Sequence, residues 1–183
     1  MKFAALFLAA LATAAPAVAQ THGGHGADTP AHPPSLYSGM ETRRIKALSE
    51  EQIADLMAGR GMGLALAAEL NSYPGPLHVL ELAGPLGLTA KQQRRTRQLL
   101  ESMKAEAIPI GQRVIDGETA LDGLFAGRTV TKASLAEATK RIAVAQGELR
   151  AAHLRYHLEM ARMLTSKQID HYARLRGYAG KVD

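Results

Sequence analysis

The sequence predicts an all-α protein built on one long, bent antiparallel helical hairpin with short flanking helices. Two patterns and one absence carry that reading. Apolar or small residues recur at alternating steps of four and three through two long stretches, the spacing of a helix-packing seam. The pentad Leu-Thr-x-x-Gln occurs twice, as Leu88-Thr89 with Gln92 and as Leu164-Thr165 with Gln168, each time just ahead of helix-like sequence. No segment shows the period-two alternation of a half-buried strand.

The 183 residues suit one domain preceded by an export signal. Lys2 supplies a positive start, residues 3–15 an apolar core, and Ala17-Val18-Ala19 the small residues a signal peptidase reads, so cleavage is expected between Ala19 and Gln20. The apolar run is too short for a bilayer, which needs about 20 such residues. The expected compartment is therefore the periplasm, with a product that is not membrane-embedded. The chain has no cysteine, which excludes disulfides, thiol chemistry and a cysteine-linked lipid. Lys2 is the only charged residue in 1–19, so its loss lowers the net charge of +5 by one. A modest positive excess suits nucleic acid in general, but export argues against that partner. Residues 20–41 are rich in Gly, Pro and His with little to bury, and read as a disordered leader. The folded domain is expected over 42–183.

Within that domain, Ser49 to Gly61 predicts a short helix, with Ser49 as N-cap, Gln52 three residues on, and Gly59 and Gly61 as stops. Met62 to Pro76 reads as a short apolar helix ended by Asn71 and Pro74-Gly75-Pro76. Leu77 to Gly87 offers about two further turns. The first long arm is expected from Thr89 to about Ala126, with a seam through Met103, Ala107, Ile110, Val114, Gly117, Leu121 and Leu124. A turn at Ala126–Lys132 precedes the second arm, Lys132 to Leu164, whose seam runs Leu135, Ala138, Ile142, Ala145, Leu149, Ala152 and Tyr156. Arms this long, about 50 Å at ~1.5 Å per residue, joined by a short loop, fold back antiparallel. Pro109 removes a backbone donor inside the first arm and is expected to kink it. A terminal helix is expected over 166–177.

Threonine followed three residues later by glutamine is a capping box. Both repeats are therefore helix starts. Leu164 and Ile169 also suit a hydrophobic staple, which the first repeat lacks because Gln93 stands at the equivalent place. The hairpin brings the two boxes near each other at its open end.

An exported, cysteine-free helical chain with two such boxes bracketing a hairpin resembles the Spy/CpxP-like family. That family groups small periplasmic envelope-stress proteins with heavy-metal-resistance relatives such as ZraP and CnrX. The match covers about 77–178, and Ala67–Thr89, with its short His-containing helix, also looks like members of this group. The resemblance implies a bent hairpin that dimerises into a cradle. Its chaperone members hold unfolded clients on the concave face without ATP, and its metal-linked members use His, Glu or Met ligands.

Two sets of residues are suited to those roles. For clients, Arg94, Arg95, Arg97 and Lys104 with Leu100 and Met103 give a basic amphipathic face, which Arg155 and Arg162 extend on the returning arm. Basic charge at a helix N-terminus opposes the macrodipole, so Arg94 and Arg95 stand where they cost stability. For metal, His153 and His157 share one helical face at a spacing of four, with Met160 one turn on. They lie about 40° and 80° from the seam direction at 100° per residue, at its margin. Two imidazoles can share Zn, Ni or Cu, but a closed site needs further ligands. His78, Glu81 and His171 are the available ones. In the leader, His22 and His25 have the glycine spacing that lets imidazoles converge. No triad signature, phosphate loop or cysteine nucleophile is present, so an enzyme is not expected. The reading is an ATP-independent periplasmic chaperone or envelope-stress protein acting on unfolded or misfolded envelope proteins, expected as a homodimer and requiring no cofactor. The alternative is a heavy-metal-binding resistance or sensor protein with a sensor-kinase or transition-metal partner.

Overall fold

The computed structural model describes residues 35–178. The expected export signal and the candidate ligands His22 and His25 lie outside the described residues. Among those described the regular elements are all helical: a 3₁₀ turn at Met40–Thr42, then α1 (Glu50–Met57), α2 (Leu66–Glu69), α3 (Pro76–Glu81), α4 (Ala90–Ala126), α5 (Lys132–Met163) and α6 (Ser166–Leu175). The 3₁₀ turn straddles the expected boundary, with Met40 and Glu41 in the stretch read as a leader and Thr42 in the domain.

Helices α4 and α5 form the expected hairpin, and each long helix begins where its capping residues dictate. Thr89, Thr131 and Thr165 all accept from the backbone N–H three residues on, in complete boxes with Gln92, Ser134 and Gln168. Ser49 and Gln52 do the same for α1. Helix α4 is continuous through Pro109.

The seam residues Met103, Ala107 and Val114 of α4 are buried, as are Ala138, Ile142, Ala145, Leu149 and Ala152 of α5. Towards the turn the seam thins. Leu135 is 37% exposed because no short helix reaches that end to cover it. The short helices instead build two apolar clusters farther back. In one, Ile45, Leu48, Ile53 and Leu56 lie on Ala107, Val114, Ile115, Ala145 and Leu149. In the other, at the open end, Val79, Leu86, Leu88 and Leu99 meet Met160, Leu164 and Tyr172. Gly111 lets α1 dock, since a Cβ there would lie 2.7 Å from the Leu56 carbonyl oxygen.

The stretch Met62–Pro76 departs from the expected helix. Only Leu66–Glu69 is helical. Met62, Gly63 and Ser72 take left-handed backbone angles (φ 46°, 76° and 65°) that a right-handed helix excludes, and Pro74 and Pro76 remove two donors. The result is a turn-rich strap that lies across α5.

Leu88 and Leu164 are buried at 6% and 7% exposure, so the leucine of each repeat is a core anchor. The glutamines do more than cap. Gln92 Nε2 donates to Gln168 Oε1 at 2.9 Å, and Gln168 Nε2 returns a bond to Gln92 Oε1 at 3.2 Å. Each Oε1 also accepts from its own N-cap N–H at 3.0 Å. Each Nε2 further points at a carbonyl of the opposite loop, Met163 from Gln92 and Leu86 from Gln168, at 3.4 Å. An amide offers both a donor and an acceptor where a carboxylate only accepts, so glutamate could close either box but not this reciprocal clasp.

Candidate functional site

The strap places one carboxylate where four elements converge. Glu69, at the end of α2, is 5% exposed. The Tyr172 hydroxyl of α6 donates to its Oε1, Tyr178 donates to the same oxygen at 3.3 Å, and the Gly75 N–H donates to Oε2 at 3.2 Å. His78 Nδ1 of α3 donates to Oε1 at 3.2 Å. The Arg176 guanidinium lies 3.8 Å away, and His157 Nδ1 is 3.7 Å from Oε2. Burial, then the bond to Glu69, pushes the Tyr172 phenol well above the usual range.

Local sequence explains each partner. Gly177 at φ 71° ends α6 in the left-handed conformation, and the Tyr178 N–H then bonds the Ala173 carbonyl at 2.8 Å. That turn carries Tyr178 back over Glu69, where it also meets Tyr172 edge-on at 6.4 Å between ring centroids. Gly75 packs directly on the His157 ring, and a Cβ there would lie 2.8 Å from His157 Cε1.

The two four-apart histidines are buried, at 2% for His153 and 7% for His157, rather than marginal, because the strap covers their face of α5. His157 Nδ1 donates to the Tyr73 carbonyl at 2.7 Å. His153 Nε2 is buried with no hydrogen-bond partner. Burial, then the nearby His157, lowers the His153 pKa and favours the neutral ring.

Both histidines line a cavity of about 300 Å³ together with Glu69, His78, Arg176 and Tyr178. Its remaining wall is apolar, with Met62, Leu66, Leu77 and Met103. A larger groove of about 470 Å³ lies between α4 and α5 nearer the turn, lined by Arg113, Lys140 and Arg141 beside Asp116 and Glu137. The buried polar residues Glu69, His153 and His157 all belong to the smaller cavity.

His78, His157 and Glu69 converge, and their chemistry suits Zn, Ni or Cu. The set does not fit an ion as it stands, because the Glu69 oxygens and the His157 Nδ1 are already engaged by protein partners. Among the described residues no group of three or more His, Asp or Glu side chains is arranged to hold a metal. Met160 is fully buried in the open-end cluster, away from the cavity lining. Glu81 is exposed and His171 half-buried, and neither lines the cavity.

The basic candidates are all exposed. Arg155 pairs with Glu106 and Arg162 with Glu159, both at 2.8 Å. Arg97 makes only a long contact to Gln93. Arg94, Arg95 and Lys104 make no ion pair among the described residues. Leu100 is half-buried, while Met103 is 7% exposed and faces the cavity rather than the outer surface of α4.

Sequence reasoning missed Glu69, Tyr172 and Tyr178. The available signal was Glu69 itself, the single acidic residue between Arg60 and Glu81 in an otherwise apolar stretch. Among the described residues no helix is long and apolar enough to cross a membrane. Comparison with protein-family models, with curated proteins and with solved structures gives no match.

Proposed function

We propose that the chain is an exported, ATP-independent chaperone or envelope-stress protein of the Spy/CpxP-like type, which holds unfolded envelope proteins on an amphipathic helical surface. One observation carries the reading. Met62, Leu66 and Leu77 line a cavity with a polar floor and are 40–55% exposed, and Leu70 and Tyr73 of the same strap are 58% and 42% exposed. Apolar side chains grouped in this way mark an interaction site more often than isolated ones do. The unpaired Arg94, Arg95 and Lys104 add an acid-seeking face on α4, suited to speeding the capture of clients with negative charge.

The test is suppression of aggregation of a chemically denatured client by the purified protein, without nucleotide. The expected result is suppression at a few-fold excess, reduced when Leu66 and Leu70 are changed to Ser. Absence of suppression by the unaltered protein would sink this reading.

A second reading, a transition-metal-binding resistance or sensor protein, is favoured by the convergence of His78 and His157 on Glu69. Binding there requires the present hydrogen bonds to be exchanged for metal bonds. Calorimetric titration with Zn, Ni and Cu tests it, and tight binding lost in His78→Ala and His157→Ala supports it.

A further inference from the structure

The cavity under the strap has a rim and a floor of different chemistry. Met62, Leu66 and Leu77 form an open apolar rim at 40%, 55% and 46% exposure, and Met103 closes the wall behind them. The floor holds His153, whose Nε2 has no partner although the ring is 2% exposed. That nitrogen is enclosed, and the other ring nitrogen, Nδ1, is the one turned towards Gly61 in the cavity wall, where a donor could reach it.

We infer that this cavity receives a single aromatic side chain bearing an N–H or O–H group, tryptophan or tyrosine of an unfolded segment, with His153 accepting its hydrogen bond. The inference rests on the client-holding reading and names the part of a client that is held. Size, wall and floor all agree with such a guest. About 300 Å³ admits one ring system but not a folded element. The two thioethers favour an aromatic face, to which sulfur makes attractive contacts. A neutral imidazole keeps one nitrogen as an acceptor, and Nδ1, the ring atom nearest Gly61 in the cavity wall, is the one placed to meet an indole N–H or a phenol.

The floor disfavours charged guests. A carboxylate would face Glu69, which already draws the Arg176 guanidinium to 3.8 Å, and a lysine would find the Glu69 oxygens already taken by Tyr172, Tyr178, Gly75 and His78. A neutral aromatic donor meets neither obstacle.

The chain contains no tryptophan, so an indole probe reports against a dark background. The probe is N-acetyl-tryptophanamide, followed by fluorescence and anisotropy as protein is added. A saturable blue shift is expected. Gly61 lines the cavity, and a Cβ on it would meet nothing closer than His153 Nδ1 at 4.0 Å, so Gly61→Leu sends a side chain into the space from an unobstructed position. That variant is expected to weaken binding roughly tenfold or more, the effect of losing one good contact region, with unchanged helical content. The N1-methylated probe, which lacks the donor, is expected to bind roughly tenfold more weakly to the unaltered protein.

Absence of a saturable shift, or undiminished affinity in folded Gly61→Leu, overturns the site. Equal affinity for the two probes overturns the part given to His153, and this comparison needs no variant to fold. Should the probe fail while aggregation suppression persists, the cavity assignment alone falls. Should the probe bind as expected while suppression is absent, the cavity stands and the client-holding reading falls.

Discussion

Glu69 and His153 face the same cavity from opposite conditions, one oversupplied with partners and the other short of one. Glu69 accepts from four groups on the strap, α3, α6 and the residues beyond it, so its removal leaves the fully buried Tyr172 hydroxyl without its acceptor. Such loss of a buried partner is costly. His153 is held neutral by burial and by His157. The sign of its pH effect follows directly. Its folded pKa lies below the ordinary 6.5, so the unfolded chain binds the proton more readily, and the stability contributed is lost as pH falls below 6.5 towards the folded value. The slope from this one group is at most about 1.4 kcal/mol per pH unit within that window. Urea midpoints measured from pH 7 to 5 should therefore fall more steeply in the unaltered protein than in His153→Leu. Parallel slopes would show that His153 does not titrate on unfolding. The burial of His153 was not legible from helical periodicity, which put it about 40° off the seam. The strap that covers it is irregular, set by Gly63 and by left-handed Met62 and Ser72, and periodicity is blind to such a segment.

At the scale of elements, capping chemistry made the long helices legible to within a residue or two. Thr89, Thr131 and Thr165 each begin a helix, and Gly127 and Gly177 fall just past the ends of α4 and α6. What capping alone did not reveal is why glutamine stands at both N3 positions. The reciprocal amide pair supplies the reason, since Gln92 and Gln168 tie the start of α4 to the start of α6 across the open end. A partly buried pair of this kind should show coupling. Gln92→Ala and Gln168→Ala are each expected to lose a cap bond and the clasp, while the second change made in the presence of the first loses only its cap bond. The double variant should then be more stable than additivity predicts by about 1 kcal/mol, read from urea unfolding midpoints. Additive losses would mean that the clasp contributes nothing beyond two separate boxes. The same placement explains the leucines, because Leu88 and Leu164 bury the chain just before each cap and so fix where the two amides meet.

Across the whole molecule, stability should be graded along the hairpin. Both apolar clusters and the buried polar hub lie between the open end and the level of Ile115 and Ala145. Beyond that level the buried seam is reduced to Ala138 and Ile142, with Gly117 close against Ile142, where a Cβ would lie 2.8 Å from Ile142 Cγ1. Leu121 and Leu124 are only half-buried and Phe125 is 55% exposed. A two-helix arm with so little covered apolar surface gains little beyond its own helical hydrogen bonds, and local opening costs least where buried contacts are fewest. Native-state amide exchange should accordingly be fastest in 118–137 and slowest around Leu99–Met103 and Leu149–Met160. The gradient has a use in the proposed function, because the tip can open while the strap, the cavity and the glutamine clasp stay formed. Uniform protection along both arms would show instead that something covers the tip in solution. The groove lined by Arg113, Lys140 and Arg141 is then the face to probe for that contact, by comparing exchange at low and high protein concentration.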